Sequence, residues 1–478
     1  MMLIRDADFL ITMAQDRAIL RRHSVFVERD RIRDIGPTDE LDQRYLSKCE
    51  EMESVINARG CLVLPGYVNT HIHTFEHLSR GLIPDDLPTF DWAVQYARPF
   101  YCSLTEDEAY LAAKLACVEM LQSGTTCFVD TNILLSSGHF DAVAQAVDEI
   151  GMRAVLGLGV FDQMPPEMAA RIPEAQRRQV VFPSANAALK AVEGVLSGGT
   201  HRSRGRVRIW ASIYGLFPYC SDELFAGIGK VAEQFGVGTA FHMASSLGEA
   251  QAVEARTGVW PITRLDELKA LGSRVLLTHC TAITNREVEL LAERGTSVAY
   301  CPGAALRLAK GTTSIGKIPE MLAAGVTLSL GADGVSSSGS FDPTRLMALV
   351  AGLFKDARMD ASLIPAEQAL EMTTVNGAKA VLCEDELGSI VPGMKADMVI
   401  YDIQRPEWVP VHDVVRNLVY CADGRSVQSV ICDGRVVYRN GAIPGVDMRA
   451  LAAEAEMAGQ AIAARVGLDP RHRWPIKE

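Results

Sequence analysis

Apolar positions follow two different patterns along this chain, one at both ends and another in the middle. Near the start, short runs at 3–13 and 23–37 alternate apolar with polar residues and stop at turns, which is typical of strands with one buried face. The same alternation returns at 396–402 and 427–441. Both ends of the chain are therefore predicted to be rich in strands.

The middle of the chain repeats a different unit, in which a continuous apolar run of strand length precedes a helical pattern. The clearest helix covers 104–124, where Thr105 and Glu108 fit a capping box and Gly124 ends the pattern. Eight such units predict a parallel sheet covered on both faces, and they match a closed (β/α)8 barrel. The eight apolar runs are 61–68, 125–131, 153–160, 207–214, 236–243, 274–280, 296–301 and 326–333.

These patterns divide the chain into three parts. Residues 58–384 are predicted to form the barrel, and 1–57 together with 385–445 are predicted to form a small composite β-sandwich domain. Residues 446–478 contain an amphipathic helix and a tail. A single helix at 365–382 is expected to lead out of the barrel. The predicted fold class is therefore α/β.

Charge and cysteine usage narrow the function classes. The 478 residues carry a net charge of −12, and no cluster of basic residues offsets it, so nucleic acid and anionic membranes are not expected partners. No apolar run reaches the roughly 18 residues of a membrane span, and charges interrupt the start where a signal peptide needs an apolar stretch. The eleven cysteines form no C-x-x-C pair. Reduced thiols and a cytoplasmic location are expected.

Metal-competent side chains stand at the predicted strand ends, which form the reactive face of a barrel. His71 and His73 follow the first apolar run, His242 and His279 end the fifth and sixth, and Asp333 ends the eighth. Residues i and i+2 of an extended segment point to the same side, so His71 and His73 can face one ion. Imidazole and carboxylate ligands without a thiolate suit a catalytic zinc or ferrous site.

Several stretches in order along the chain resemble the amidohydrolase superfamily. They are "VLPGYVNTHIH", "LQSGTTCFVD", "FHMAS", "LLTHC", "LGAD", "GSIVPGMKADMVIYD" and "VICDGRVVYRNG". The resemblance is to the branch that holds atrazine chlorohydrolase and the adenosine-type and guanine deaminases. It implies a metal barrel with a β-sandwich made from both chain ends.

The resemblance also implies roles for individual residues. His71, His73, His242 and Asp333 would bind the metal, while His279 with Asp333 would hold or deprotonate the attacking water. Dinuclear members use a lysine at a strand end, and the runs at 153–161 and 207–215 contain none. One metal per chain is expected, Zn²⁺ or alternatively Fe²⁺.

The sequence departs from the deaminase pattern three residues after His242, where relatives carry a glutamate that shuttles a proton. Ser245 stands there, and a serine hydroxyl is too weak an acid for this role near neutral pH. Glu76 or His77 could replace it. His77 is the preferred candidate, because the pKa of imidazole is already near neutrality.

Pocket positions also differ from the deaminases. Leu216 or Phe217 replaces a histidine after the fourth strand, and Ala305 replaces a polar residue after the seventh, which favours a smaller or more apolar substrate. Trp92 is expected to wall the pocket, and Asp130 at the end of the second strand is a candidate anchor.

The sequence therefore predicts a mononuclear metal-dependent hydrolase that cleaves a C–N bond, with C–Cl or C–S as lesser options. The expected substrate is small, heterocyclic or similar to a urea or carbamate. One alternative is an aromatic deaminase of a purine, pterin, pyrimidine or triazine, and another is a catalytically silent metal-binding homologue. Family precedent and the apolar helices at 111–121 and 347–354 favour a homodimer or larger homo-oligomer.

Overall fold

Strands in four sheets alternate with helices in the computed structural model, which describes residues 1–49, 54–133 and 136–476. The chain ends and the middle form different sheets, so the architecture is α/β. The strands are β1 (Met2–Ala7), β2 (Phe9–Ile11), β3 (Ile19–Leu20), β4 (His23–Glu28), β5 (Arg31–Pro37), β6 (Val55–Asn57), β7 (Cys61–Pro65), β8 (Tyr67–Ile72), β9 (Thr125–Asp130), β10 (Arg153–Gly157), β11 (His201–Arg202), β12 (Val207–Trp210), β13 (Thr239–Met243), β14 (Val275–His279), β15 (Ser297–Tyr300), β16 (Leu328–Leu330), β17 (Met398–Asp402), β18 (Val427–Cys432) and β19 (Arg435–Arg439).

The middle of the chain contains two runs of four parallel strands. One run has the order β12-β10-β9-β8, with β11 added antiparallel at its edge, and the other has the order β13-β14-β15-β16. Single parallel bridges connect the runs, Ile72 with Asp333 on one side and Gly215 with His242 on the other. Seven of the eight predicted apolar runs each contain one of these strands.

The first predicted strand, 61–68, was wrong as one unit. β7 lies between β2 and β17 in the sheet of the chain ends, whereas β8 pairs with β9. Gly66 separates them, and a Cβ atom there would lie 2.3 Å from the side chain of Thr126. Hydropathy could not show the division, because every residue of both strands is buried.

The chain ends supply two sheets, with the orders β5-β4-β1-β6 and β19-β18-β17-β7-β2-β3. Residues from both sheets, such as Ile4, Val25, Val63 and Ile431, share one hydrophobic cluster that is separate from the main core. The buried Arg153 of β10 pairs with Asp397 and Asp433, which flank β17 and β18, and so connects the parallel strands to this region.

The helices confirm the predicted capping box, since the Thr105 hydroxyl and the Glu108 carboxylate each accept the other residue's backbone N–H. The predicted helix 365–382 is divided at Thr374, whose φ of −118° and ψ of −96° are not helical. The α-helices are Thr38–Tyr45, Thr89–Trp92, Arg98–Tyr101, Glu106–Gln122, Ser137–Ile150, Pro166–Ala169, Glu174–Val180, Ala185–Ser197, Asp222–Phe235, Leu247–Thr257, Pro261–Glu267, Asn285–Arg294, Pro302–Arg307, Thr312–Ile315, Ile318–Ala323, Val335–Ser338, Pro343–Arg358, Ala366–Thr373, Val375–Ala380, Val414–Tyr420 and Met448–Arg465.

The apolar faces of the helices are used inside the chain. Leu111, Leu121, Val350 and Phe354, from the two helices predicted as association surfaces, are buried in the main core. Much of the apolar surface of these helices is therefore used inside the chain, and the homo-oligomer stays a prediction. Within the described part of the chain, no helix combines the length and apolar character needed to cross a membrane.

Candidate metal centre and active site

Five side chains gather where the parallel strands end, as the sequence predicted. His71 ends β8 and His73 follows it, His242 is in β13, His279 ends β14, and Asp333 follows β16. One ligand atom from each of His71, His73 and His242 lies within 4.8 Å of the others, and the same holds for His71, His279 and Asp333. All five residues are buried. Groups far apart in sequence thus converge on one point.

The distances show that the nitrogen lone pairs face a shared space. The Nε2 atoms of His73 and His242 are 3.1 Å apart. Oδ1 of Asp333 is 3.7 Å from Nε2 of His71 and 3.6 Å from Nε2 of His73, and Oδ2 is 3.8 Å from Nε2 of His279. Nε2 of His71 is buried and has no hydrogen-bond partner among the described residues.

Neighbouring groups orient two of the rings. Nδ1 of His242 lies 2.6 Å from the carbonyl oxygen of Tyr214, which can only accept, so Nδ1 carries the proton and Nε2 presents its lone pair. Nδ1 of His71 lies 3.1 Å from the hydroxyl of Thr278. Both Nε2 atoms are therefore directed at the shared space.

Burial keeps the imidazoles neutral. Desolvation lowers the pKa of His73 to about 4, and it lowers the pKa values of His71, His242 and His279 well below their ordinary range. Neutral imidazole is the form that binds a metal. At pH 7 the four imidazoles are therefore in the neutral form that can bind a metal.

Unusual backbone conformations support this arrangement. The backbone φ angles of His279 and Asp333 are positive, at 79° and 63°, and residues other than glycine rarely adopt such values. The Asp333 N–H donates to the His71 carbonyl at 2.8 Å, and the Gly334 N–H donates to Oδ1 of Asp333 at 2.7 Å. These bonds hold the carboxylate in place beside the histidines.

The donor set fits a first-row divalent metal. Three imidazole nitrogens and one carboxylate, without a thiolate, are the ligands of many catalytic zinc sites, and they suit ferrous iron as well. A cation between the Nε2 atoms of His73 and His242 would also remove the repulsion of lone pairs that face each other. The unpartnered Nε2 of His71 would gain a ligand bond.

A cavity of about 390 Å³ opens beside this cluster. Three of the predicted substrate-binding residues, Trp92, Leu216 and Ser245, line it. Its other lining residues are His73, Thr89, Phe90, Ala93, Arg98, Tyr214, Pro218, Tyr219, His242, Ser246, Gly248, Glu249, Ala252, His279, Leu308, Lys310 and Asp333.

The other three predicted substrate-binding residues lie outside this lining. Phe217 is buried against Phe225, with ring centroids 4.7 Å apart. Ala305 is buried in the helix that precedes Lys310. Asp130 lines a separate cavity of about 20 Å³ and accepts a hydrogen bond from Thr74 at 2.6 Å. A substrate contact for these three stays a prediction that the geometry does not support.

His77 also lies outside the cavity lining. Its Nε2 is 2.9 Å from the Glu119 carboxylate, and its ring packs edge-on against Phe341 at 4.6 Å between centroids. Glu76, the other candidate acid, is buried and accepts a hydrogen bond from the Ser336 N–H at 3.0 Å. Both residues support the loops around the cluster, and the catalytic role predicted for His77 stays untested.

Sequence reasoning missed three charged residues of the cavity wall. Nζ of Lys310 lies 3.1 Å from the Ser245 hydroxyl and 3.3 Å from Nε2 of His279. The Arg98 guanidinium lies 4.1 Å from the ring centroid of Tyr214. Arg98 is a lone cation in an apolar stretch of sequence, and that was the available signal for it.

Glu249 is the third of these residues. Its carboxylate accepts hydrogen bonds from the N–H groups of Ser245 at 2.7 Å and Ala244 at 3.2 Å. Burial raises its pKa to about 7 despite these bonds. A carboxyl group that is half protonated near neutral pH is thus present on the cavity wall.

Comparison with known proteins identifies the same family that the sequence motifs resemble. The model of the amidohydrolase family matches residues 62–437. The 5'-deoxyadenosine deaminase of Methanosarcina mazei is 33% identical over 462 residues, which cover 96% of this chain and 98% of the relative.

Solved structures agree at the level of the fold. A zinc-bound adenosine deaminase from Xanthomonas campestris superposes with a TM-score of 0.86 at 26% identity, covering 97% of this chain and 98% of that one. The zinc complex of atrazine chlorohydrolase TrzN from Arthrobacter aurescens gives 0.83 at 21% identity, covering 96% and 100%. With its family match, its relatives and its cluster of histidines and aspartate, this chain belongs to the amidohydrolase family.

Proposed function

We propose that this protein is a metal-dependent hydrolytic deaminase, which replaces an amino group on a small nitrogen heterocycle with oxygen and releases ammonia. The observation that carries the proposal is the convergence of His71, His73, His242, His279 and Asp333 beside a cavity of about 390 Å³. The deaminase names of the relatives support the C–N bond as the target.

His71, His73, His242 and Asp333 are the proposed ligands of one Zn²⁺, and the same atoms suit Fe²⁺. A bound metal would supply Lewis-acid chemistry and lower the pKa of a water to about 7. Side chains of the protein carry out the proton transfers.

In this proposal, His279 and Asp333 hold the attacking water and accept its proton. Their side chains are 3.8 Å apart, and both border the cavity. As the water oxygen bonds to the ring carbon, the ring nitrogen gains a proton. The C–N bond then breaks, and ammonia leaves with the proton that His279 and Asp333 accepted from the water. The second proton of the water returns to the proton donor as the ring carbonyl forms.

We assign the proton donor to Glu249 rather than to His77. Glu249 lines the cavity and has a pKa of about 7, which suits an acid that works near neutrality. Ser245 supports it by directing its backbone N–H at the carboxylate. His77 is held by Glu119 outside the cavity.

We also propose the finer architecture. The bridges at Ile72–Asp333 and Gly215–His242 support closure of the eight parallel strands into one (β/α)8 barrel. The shared hydrophobic cluster supports a β-sandwich made from both chain ends. The domain limits, the cytoplasmic location and a homodimer stay proposals, and sedimentation of the zinc-loaded protein tests the homodimer.

The experiment is a screen for ammonia release by protein that has been stripped of metal and reloaded with zinc. The panel contains aminopurines, aminopterins, aminopyrimidines and aminotriazines, each beside its chloro analogue. We expect ammonia from at least one ring, no turnover by stripped protein, and recovery with zinc. Equal turnover by stripped protein, or chloride release without any ammonia, would contradict the proposal.

A further inference from the structure

Two buried cations on the cavity wall lack a carboxylate partner. Arg98 is 4% exposed and Lys310 is 5% exposed, and neither forms an ion pair within 4.0 Å among the described residues. Burying an unpaired charge is costly in free energy, and most buried cations are therefore paired. A pair of uncompensated cations at the wall of an open cavity indicates that a ligand supplies the negative charge.

The surroundings of Arg98 leave most of its hydrogen-bonding edge available. The guanidinium lies over Tyr214 at 4.1 Å, and the centroids of Tyr101 and Tyr219 are 5.5 and 5.8 Å away. Aromatic faces stabilise the cation, and the Tyr219 hydroxyl accepts a hydrogen bond from it, which leaves the other in-plane N–H groups for a ligand. Such a fork is suited to a carboxylate, which it can bind through two parallel hydrogen bonds.

Lys310 lies closer to the metal cluster. Its ammonium reaches the neutral hydroxyl of Ser245 and the ring of His279, at 3.1 and 3.3 Å. An ammonium has three donors, so it can still reach an electronegative atom of a bound molecule.

The nearby carboxylates do not neutralise these cations. Glu249 already accepts two backbone N–H groups, and Glu76 is bonded to Ser336. Asp333 is directed at His71 and His73, in the proposed ligand set. Burial lowers the pKa of Lys310 and these carboxylates raise it from a distance, but none of them forms an ion pair with either cation within 4.0 Å.

We propose that the substrate is an anionic heterocycle, whose carboxylate binds Arg98 while Lys310 donates to a second electronegative atom nearer the metal cluster. This rests on the proposed function and narrows it to a class of substrate. A cavity of about 390 Å³ has room for one or two fused rings with a carboxylate. In this assignment, Ser245 orients Lys310.

The experiment compares acids with amides of the same shape. Nicotinate is paired with nicotinamide, and 1-naphthoate with 1-naphthamide, and calorimetry measures their binding to zinc-loaded and to metal-free protein. We expect each acid to bind at least about tenfold more tightly than its amide in both forms, a difference of roughly 1.4 kcal/mol.

Variants test whether the buried cation causes the tighter binding of the acids. Arg98→Gln should abolish it, and Arg98→Met, which keeps an apolar stem among the tyrosines, serves if the first variant does not fold. Arg256→Gln is the matched control, since Arg256 also lies over an aromatic ring, Phe217, at 5.1 Å, but has a carboxylate partner in Asp222. The control should keep the preference.

Equal binding of acid and amide by the wild type, no binding of either acid at millimolar concentration, or an unchanged preference in the folded Arg98 variant would overturn the proposal. Because the preference is also measured without metal, absence of ammonia release would refute the deaminase assignment and leave this result standing.

Discussion

The Nε2 atoms of His73 and His242 lie 3.1 Å apart, although 169 positions separate the residues in sequence. Nδ1 of His242 is bonded to a carbonyl oxygen, so its Nε2 presents a lone pair toward His73. This contact places the nitrogen pair where a single cation would contact both rings.

The first prediction concerns this cluster. His71→Ala and His242→Ala should each release most of the zinc and abolish turnover, because each removes a nitrogen ligand. Elemental analysis after dialysis measures the metal, and circular dichroism checks the fold. His201→Ala, at an exposed position, is the control. Full zinc content in either test variant would remove that residue from the ligand set.

The second prediction tests the proton donor. Glu249→Gln keeps one of the two acceptor oxygens for the backbone N–H groups and should keep the metal, but it should lower kcat by roughly 10²–10⁴-fold. The basic limb of the pH–rate profile should disappear as well, since that limb would report loss of the proton from Glu249, whose pKa is about 7. A variant with an intact bell-shaped profile would argue for another acid.

The third prediction separates His77 from that role. Its ring donates to Glu119, a carboxylate whose pKa lies near 2. His77→Gln should weaken this buried, charge-assisted hydrogen bond and cost about 1.5–3 kcal/mol of unfolding free energy. Urea unfolding measures this cost. If stability is unchanged while kcat falls about 10²-fold with zinc retained, the sequence-based assignment of His77 as the acid is right.

The fourth prediction concerns pH and Asp130. Burial raises the pKa of this carboxyl group from an ordinary 3.8 to about 7, so the folded state favours the neutral form. The stabilisation is complete below 3.8 and is lost as the pH rises through about 7. Urea unfolding of the wild type and of Asp130→Asn across this range isolates this contribution from that of the other groups. The free energy of unfolding of the wild type minus that of Asp130→Asn should fall with rising pH, and a constant difference would contradict the assignment.

The fifth prediction concerns the link between the sheets. Arg153→Met leaves the carboxylates of Asp397 and Asp433 without their buried partner, and should cost about 3–5 kcal/mol of unfolding free energy. Thermal and urea unfolding measure this loss. Arg178→Met is the matched control, because its ion pair with Glu174 is exposed. Equal losses in the two variants would mean that burial does not matter here.

The strand-and-helix order and the metal cluster were predictable because both depend on local pattern. A buried parallel strand is a short apolar run, and a ligand at its end follows directly in sequence, as His279 follows the apolar residues of β14. The division at Gly66 was not predictable, because the apolar run continues across it without a change in hydropathy.

The cavity wall was harder to predict, because it depends on which way single residues face. Leu216 adopts a positive φ of 63° and lines the cavity, whereas its neighbour Phe217 turns into the core. Lys310 reaches Ser245 across 65 positions, and no spacing rule connects them. Such contacts are set by tertiary packing rather than by local pattern.

The short step at Gly66 also limits how this enzyme can be divided. One continuous segment carries β7, embedded between strands from both chain ends, and then β8, which ends at His71. A fragment that began after Gly66 would lack β7, and one that stopped at residue 384 would leave β7 without its neighbour β17. The part of the chain that carries the proposed metal ligands therefore cannot be transferred alone. A chimera must also include the first sixty or so residues and the C-terminal strands.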